Sequence, residues 1–146
     1  MADMLRVHAT CVELDGIGLL LRGPSGAGKS DLALRLIDAG AGLVADDQVE
    51  LRVRGGLLWA AAPPALAGLL EVRGLGLARL AARPAAVVQL AIDLVPDGDL
   101  ERLPGPGRLE LLAIALPLYR LCAWQASAPA KVRLLVRNCR QGIFGA

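Results

Sequence analysis

The sequence predicts an α/β fold in a single domain that spans residues 1–146. Short apolar runs rich in Val, Ile and Leu recur along the chain, and a glycine-rich motif joins one of them to an amphipathic helical segment. The length of 146 residues suits one ordinary domain with a substantial core. Because 55% of the residues are hydrophobic and only 3% aromatic, we expect that core to consist mainly of Ala, Leu and Val.

The elements predicted in the first half follow from hydrophobic patterns and the turn residues between them. Apolar residues alternate loosely through residues 5–14, the dipeptide Asp15-Gly16 marks a turn, and residues 17–21 form a short apolar run. Apolar side chains then recur at helical spacing up to residue 39, where Gly40 begins a helix stop. The predicted elements are strands at residues 5–14, 17–21 and 43–45, a helix at residues 29–39, and a hairpin of residues 49–53 and 57–61.

The second half predicts mainly strands with loops between them. Residues 109–122 are apolar but interrupted by Pro117, which fits either a strand pair or a broken helix, and we favour the strands. Ser127 is a suitable helix N-cap, with Pro129 in the first turn. The predicted elements are strands at residues 69–73 and 85–95, a loop at residues 96–108, a strand pair within residues 109–122, and a helix that is capped by Ser127 and ends at about residue 138.

One motif carries specific chemistry, since residues 23–30 read GPSGAGKS and fit the pattern G-x-x-x-x-G-K-[ST]. Glycines let backbone N–H groups turn inward around phosphate oxygens, and the helix that follows points its positive end at the same anion. Lys29 would reach the outer phosphates, and the Ser30 hydroxyl would bind Mg²⁺. The motif therefore predicts a bound nucleoside triphosphate, with ATP and Mg²⁺ as cofactors. Its residues are Gly23, Pro24, Ser25, Gly26, Ala27, Gly28, Lys29 and Ser30.

Two adjacent acids, Asp46 and Asp47, follow the predicted strand at residues 43–45. An acid at this point resembles a Walker B element, which holds or orients Mg²⁺. One carboxylate can serve the metal while its neighbour handles a proton, and the sequence leaves open which does which. The sequence lacks the N-K-x-D segment that selects guanine. The residues alone therefore predict a P-loop phosphotransferase or NTPase whose acceptor is open.

A family resemblance adds to these motifs. The segment LEVRGLGL at residues 70–77 places Glu71 and Arg73 two apart, on one face of the predicted strand. Together with VHA at residues 7–9, GPSGAGKSDLAL and LVADD, in that order, it resembles the catalytic domain of HPr kinase/phosphorylase over residues 5–103. That family phosphorylates a serine of the carrier HPr. The resemblance implies a P-loop domain related to phosphoenolpyruvate carboxykinase, with a strand-rich mixed sheet.

The resemblance also implies residue roles. His8 matches a histidine beside the reacting acid, and Asp47 matches the general base that takes the seryl proton, with Asp46 as the near alternative. Arg102 resembles a functional arginine on a mobile loop near the acceptor. The implied catalytic residues are His8, Lys29, Asp46, Asp47 and Arg102, and the implied Mg²⁺ ligands are Ser30 and Glu71.

Three departures from the family qualify these implications. The chain begins near the first catalytic-domain strand, so we expect it to lack the N-terminal domain of longer members. Pro24 stands where an acid is common, and SAPAK at residues 127–131 replaces a basic segment that the family links to dephosphorylation. We therefore expect an ATP-dependent serine kinase acting on HPr or a related phosphocarrier, rather than a phosphorylase, and the family allows a homo-oligomer. The alternatives are a nucleotide-sensing regulator without kinase turnover and a small-molecule kinase.

Composition and charge bear on partners and location. The net charge of +2, the absence of a basic run and the scarcity of aromatic residues argue against a nucleic-acid partner. The longest uncharged stretch, residues 55–70, is interrupted by two prolines, so we expect no membrane span. The start of the chain lacks a signal-peptide pattern, and Cys11, Cys122 and Cys139 are scattered as in reduced proteins. These features predict a cytoplasmic protein.

Overall fold

The computed structural model describes residues 3–144 and has an α/β fold with a strand-rich mixed sheet, as the sequence predicts. The strands are β1 (Met4–His8), β2 (Thr10–Leu14), β3 (Ile17–Arg22), β4 (Gly42–Ala45), β5 (Gln48–Arg54), β6 (Leu57–Ala61), β7 (Leu69–Val72), β8 (Gly76–Arg79), β9 (Ala86–Leu94), β10 (Gly107–Leu111) and β11 (Ile114–Leu121), and the helices are α1 (Lys29–Asp38) and α2 (Ala128–Gln141).

Within residues 3–144, nine of the strands form one sheet, and β7 and β8 form a separate antiparallel hairpin. The long strand β9 pairs in parallel with β3 and β11, while its first residues pair antiparallel with β6. From β3 the sheet continues through β2 to β4, and from β6 it continues through β5 to β1. The connection from β3 through α1 therefore starts at the centre of the sheet, which is where the glycine-rich loop lies.

The strands at the centre of the sheet are apolar on both faces, because both faces are covered. Leu19 and Leu21 of β3 belong to a buried cluster that includes residues of α1 and α2, whereas Leu20 belongs to a second cluster on the other face. Neighbouring β9 alternates in the same way, with Leu90 in the first cluster and Ala91 in the second. This double burial explains why the sequence of β3 is a continuous apolar run rather than an alternating one.

The strand predicted at residues 5–14 is wrong as a single element. It divides at Ala9 into β1, which pairs with β5, and β2, which pairs with β3 and β4. The backbone N–H of Ala9 donates to the carbonyl of Asp47, 3.2 Å away, at the point where the chain changes partners. Both halves are extended and partly apolar, so local sequence pattern could not reveal the change of partner.

The other predicted elements are confirmed with small changes at their ends. The hairpin of β5 and β6 and the strand pair of β10 and β11 form as predicted, whereas β8 lies in a segment for which no strand was predicted. Helix α2 extends to Gln141, and Ser127 occupies its N-cap position, although the Ser127 side chain makes no capping hydrogen bond. Among the described residues, no helix combines the length and the apolar character needed to cross a bilayer.

Candidate functional site

The glycine-rich loop connects β3 to α1, which begins inside the motif at Lys29. Gly28 has a φ of 97°, and a Cβ at this position would lie only 2.6 Å from the Cβ of Ala123. A larger residue would therefore strain the backbone and displace the segment that follows β11. Glycine allows the loop to pack tightly while its N–H groups stay open to an anion at the start of α1.

Lys29 is buried within this loop, with 7% of its surface exposed. Its Nζ donates to the carbonyls of Gly23, at 2.6 Å, and Pro24, at 3.1 Å. These contacts hold the ammonium on the inner side of the loop, where a bound phosphate would meet both the charge and the backbone N–H groups. The lysine thus lies where the motif predicts it.

Asp46 is buried directly beneath the loop, at the end of β4. Its Oδ1 accepts hydrogen bonds from the Ser30 hydroxyl, at 2.8 Å, and the Thr10 hydroxyl, at 2.9 Å. Its Oδ2 accepts a longer hydrogen bond from the backbone N–H of Glu71, at 3.4 Å. A buried carboxylate requires such partners, so Asp46 joins β2, β4, β7 and the start of α1 into one unit.

Asp47 lies in a different environment from its neighbour. Its side chain is 67% exposed, and its Oδ1 is 2.7 Å from Nε2 of His8, which is 52% exposed. Asp47 has a φ of 69°, a left-handed conformation that Asp tolerates better than most residues. Register also brings the two side chains together, because His8 pairs with Gln48, the residue after Asp47.

These groups meet in one cleft of about 450 Å³. The hairpin of β7 and β8 contributes Glu71 and Arg73 to its wall, although Arg73 follows the end of β7 and is not paired in the strand as predicted. Lys29 and the His8–Asp47 pair face the same space. The complete lining is His8, Thr10, Ser25, Gly26, Gly28, Lys29, Ser30, Asp31, Leu34, Asp47, Glu71, Val72, Arg73 and Trp124.

The cleft suits a magnesium ion that is bound together with phosphate. The Ser30 hydroxyl donates a hydrogen bond to Asp46, so the lone pairs of its oxygen remain free for a cation. The Glu71 carboxylate lines the same cleft. Both side chains would bind the metal through oxygen atoms, which are the ligands that Mg²⁺ prefers. Mg²⁺ usually takes its remaining ligands from phosphate and water. In residues 3–144, no three His, Cys, Asp or Glu side chains cluster closely enough to hold a metal by themselves.

Among the described residues, Arg102 has no hydrogen bond or ion pair to the other predicted site residues, whereas Gly23, Pro24 and Asp46, which also do not line the cleft, contact Lys29 or Ser30. Arg102 lies exposed in the loop between β9 and β10 and is absent from the described residues that line the cleft. Several lining residues were not predicted as site residues, and two of them lie outside the quoted motifs: Thr10, whose hydroxyl donates to Asp46, and Trp124, which follows β11. Neither lies in a motif, and only the strand pairing of β2 with β4 could have pointed to Thr10.

Comparison with known proteins identifies the family of the chain. The family described as "HPr Serine kinase C-terminal domain" matches residues 1–94. The chain is 42% identical over 114 residues to the HPr kinase/phosphorylases of Burkholderia lata and Burkholderia cenocepacia. These alignments cover 71% of this chain but 35% of each relative, so the chain spans about a third of the length of the curated relatives it matches.

A solved structure extends the similarity over nearly the whole fold. The structure of the Hpr(Ser) kinase/phosphatase from Coxiella burnetii superimposes with a TM-score of 0.83 at 28% sequence identity. The match covers 93% of this chain and 96% of the other. The agreement therefore includes the segment beyond residue 94, which contains β10, β11 and α2 and lies outside the family match.

Proposed function

This chain belongs to the HPr serine kinase C-terminal domain family, and from that membership we propose that it transfers the γ-phosphoryl group of ATP to a serine of HPr or a related phosphocarrier. The observation that carries the proposal is the His8–Asp47 pair, which faces the same cleft as Lys29 and the glycine-rich loop. A carboxylate that can take a proton thus lies near a site built for a triphosphate. The proposal treats residues 1–146 as one catalytic domain.

The donor half of the site consists of the glycine-rich loop, Lys29 and Ser30. The loop N–H groups and the ammonium would neutralise charge on the β- and γ-phosphates. Ser30 and Glu71 would hold Mg²⁺, which supplies further charge neutralisation at the phosphates. Asp46 would act through Ser30 by keeping the hydroxyl oriented.

The acceptor half centres on Asp47. In the proposed step the oxygen of the acceptor serine forms a bond to the γ-phosphorus. The bond between that phosphorus and the oxygen that bridges the β- and γ-phosphates breaks. The seryl proton passes to the Asp47 carboxylate, and ADP leaves. His8 would hold the carboxylate in position through its 2.7 Å contact.

The environments of the two acids support Asp47 rather than Asp46 as the base. Asp46 is 8% exposed and already accepts hydrogen bonds from Ser30, Thr10 and the Glu71 backbone. Asp47 is exposed in the cleft and can approach an incoming hydroxyl. The role of Arg102 at the acceptor rests on the family resemblance alone, since that side chain lies outside the cleft lining.

The test is transfer of labelled phosphate from Mg-ATP to purified HPr, followed by identification of the labelled residue. We expect label on a serine, loss of transfer and of ATP binding in Lys29→Ala, and loss of transfer with retained ATP binding in Asp47→Asn. Asp38→Asn, which removes an exposed carboxylate outside the cleft, is the matched control and should remain active.

One result would contradict the kinase proposal, and another would contradict the assignment of the base. If ATP binds with Lys29-dependent affinity but no label reaches HPr or a related carrier, the chain is a nucleotide-sensing protein without kinase turnover. If Asp46→Asn abolishes transfer with ATP binding intact while Asp47→Asn remains fully active, the base has been assigned to the wrong acid.

A further inference from the structure

We propose that the indole ring of Trp124 is the platform on which the base of the bound nucleotide stacks. The inference rests on the proposed function, because it presumes that the glycine-rich loop binds a nucleoside triphosphate. In this proposal Trp124 positions the nucleotide, and the ligand group that it contacts is the flat aromatic ring of a nucleobase.

The position of the ring supports this assignment. Trp124 lines the same cleft as Lys29 and Ser30, on the wall that follows β11. Its ring lies against the glycine-rich loop: a Cβ built on Gly28 would be 3.2 Å from Cζ2 and 3.4 Å from Cε2. A nucleotide whose phosphates contact the start of α1 must extend its base away from the loop. The indole and Leu34 of α1 both line the cleft and offer it apolar surface.

The exposure of the ring is the second observation. The Trp124 residue is 60% exposed, although it is one of only two tryptophans in the chain and directly follows the buried Ala123. An exposed ring of this size inside a cleft leaves apolar surface that a flat apolar ligand would cover favourably. A nucleobase has a π-face of matching size, and aromatic stacking on such a face is a recurrent way of binding bases.

The backbone that carries the ring is anchored on both sides. Arg35 of α1 donates through its guanidinium to the carbonyls of Ala123 and Gln125, the residues that flank Trp124. Lys131 of α2 donates to Oε1 of Gln125 at 2.7 Å. These contacts fix the backbone on either side of the ring, which limits the conformational entropy lost in ordering the platform. An exposed side chain on an anchored backbone is typical of a binding surface rather than of a packing defect.

Stacking predicts how the site discriminates among donors. Every base has a π-face, so ATP and GTP should both bind, whereas inorganic tripolyphosphate should gain nothing from the ring. From typical stacking energies, loss of the ring should weaken ATP binding by about tenfold or more. The same change should leave the affinity for tripolyphosphate within about twofold of its starting value.

The experiment uses the full chain carrying Trp59→Phe, which leaves Trp124 as the sole tryptophan. Trp59 lies on β6, outside the cleft lining among the described residues, so this background should bind nucleotide normally. Mg-ATP and Mg-tripolyphosphate are titrated while Trp124 fluorescence is followed. Affinities for both ligands are then measured by calorimetry in Trp124→Leu and Trp124→Phe. We expect strong quenching by ATP alone, selective loss of ATP affinity in Trp124→Leu, and substantial recovery in Trp124→Phe.

The outcomes separate this inference from the proposed function. Equal weakening of ATP and tripolyphosphate in Trp124→Leu would mean that the ring only supports the loop, and it would overturn the inference. Unchanged ATP affinity in Trp124→Leu, with thermal melting confirming a folded variant, would overturn it as well. If neither ligand binds to the Trp59→Phe chain or to the unmodified chain, the proposed function itself is overturned, because it requires a triphosphate at the glycine-rich loop. In the transfer assay, Trp124→Leu should raise KM for ATP with little change in kcat.

Discussion

Replacing Gly28 by Ala should destabilise the chain more than the same change at Gly26, although both glycines belong to one loop. Their backbones are similar, with φ values of 97° at Gly28 and 86° at Gly26. Their surroundings differ: a Cβ at Gly28 would lie 2.6 Å from the Cβ of Ala123, whereas a Cβ at Gly26 would have no atom within 4 Å. The pair therefore separates backbone strain from steric overlap.

The expected magnitudes follow from these two terms. An L-residue in the left-handed region costs about 1–2 kcal/mol, which applies to both variants. Overpacking a tightly packed position adds about 1–3 kcal/mol, which applies only to Gly28→Ala. We therefore expect losses in the free energy of unfolding of about 1–2 kcal/mol for Gly26→Ala and about 2–5 kcal/mol for Gly28→Ala.

Urea denaturation without nucleotide measures both losses, and a third variant isolates the overlap. In an Ala123→Gly background the facing methyl is gone and only the 3.2 Å approach to the Trp124 ring remains, so the cost of Gly28→Ala should fall toward that of Gly26→Ala. Equal losses for the two single variants would refute the reasoning. A cost of Gly28→Ala that does not change in the Ala123→Gly background would also refute it.

Three further predictions concern groups outside the loop. Thr10→Val should cost about 1.5–3 kcal/mol in urea denaturation because it removes a buried hydrogen bond to the Asp46 carboxylate, and Thr10→Ser, which keeps the hydroxyl, should cost less. Burial raises the pKa of the Cys11 thiol from 9.0 to about 12, so between these values the folded chain binds more protons than the unfolded chain. The contribution of this thiol to stability should therefore fall with rising pH above 9, by about 1.4 kcal/mol per pH unit, and the unfolding free energy of Cys11→Ala should decline less steeply. Native protein should react with a thiol reagent at Cys139 alone, since Cys11 and Cys122 are buried, and a threefold stoichiometry without denaturant would contradict this burial.

Much of the fold could be predicted because most helices and strands have a recognisable pattern within a short window of sequence. The apolar run of β3, the helical spacing of α1 and the turn at Gly55 and Gly56 all lie within short windows of sequence. The break at Ala9 could not be predicted in this way, because it arises from a change of strand partner and not from the residue itself. The hairpin strand β8 was missed for a related reason, since it pairs only with β7 and its residues are mostly exposed.

In the candidate site, too, contiguous features could be predicted from the sequence and contacts between distant segments could not. The loop at residues 23–30 is contiguous, and its spacing alone indicates the chemistry that it can perform. The different environments of Asp46 and Asp47 could not be predicted, because they depend on β1, β2 and β7 arriving from elsewhere in the chain. Arg102 is a different case: its role was implied by the resemblance alone, it does not line the cleft among the described residues, and its place at the acceptor stays a prediction.

The sequence by itself determined the α/β fold class, the family and the anion-binding loop, because each depends on residues close together along the chain. Only the tertiary structure decided that Asp46 is buried under Ser30 while Asp47 meets His8 in the cleft. It also brought Trp124 against Gly28, although nearly a hundred residues separate them. The physical reason is that burial and partner distance depend on how the strands pair and the helices pack, and adjacent residues of identical type can differ completely in both.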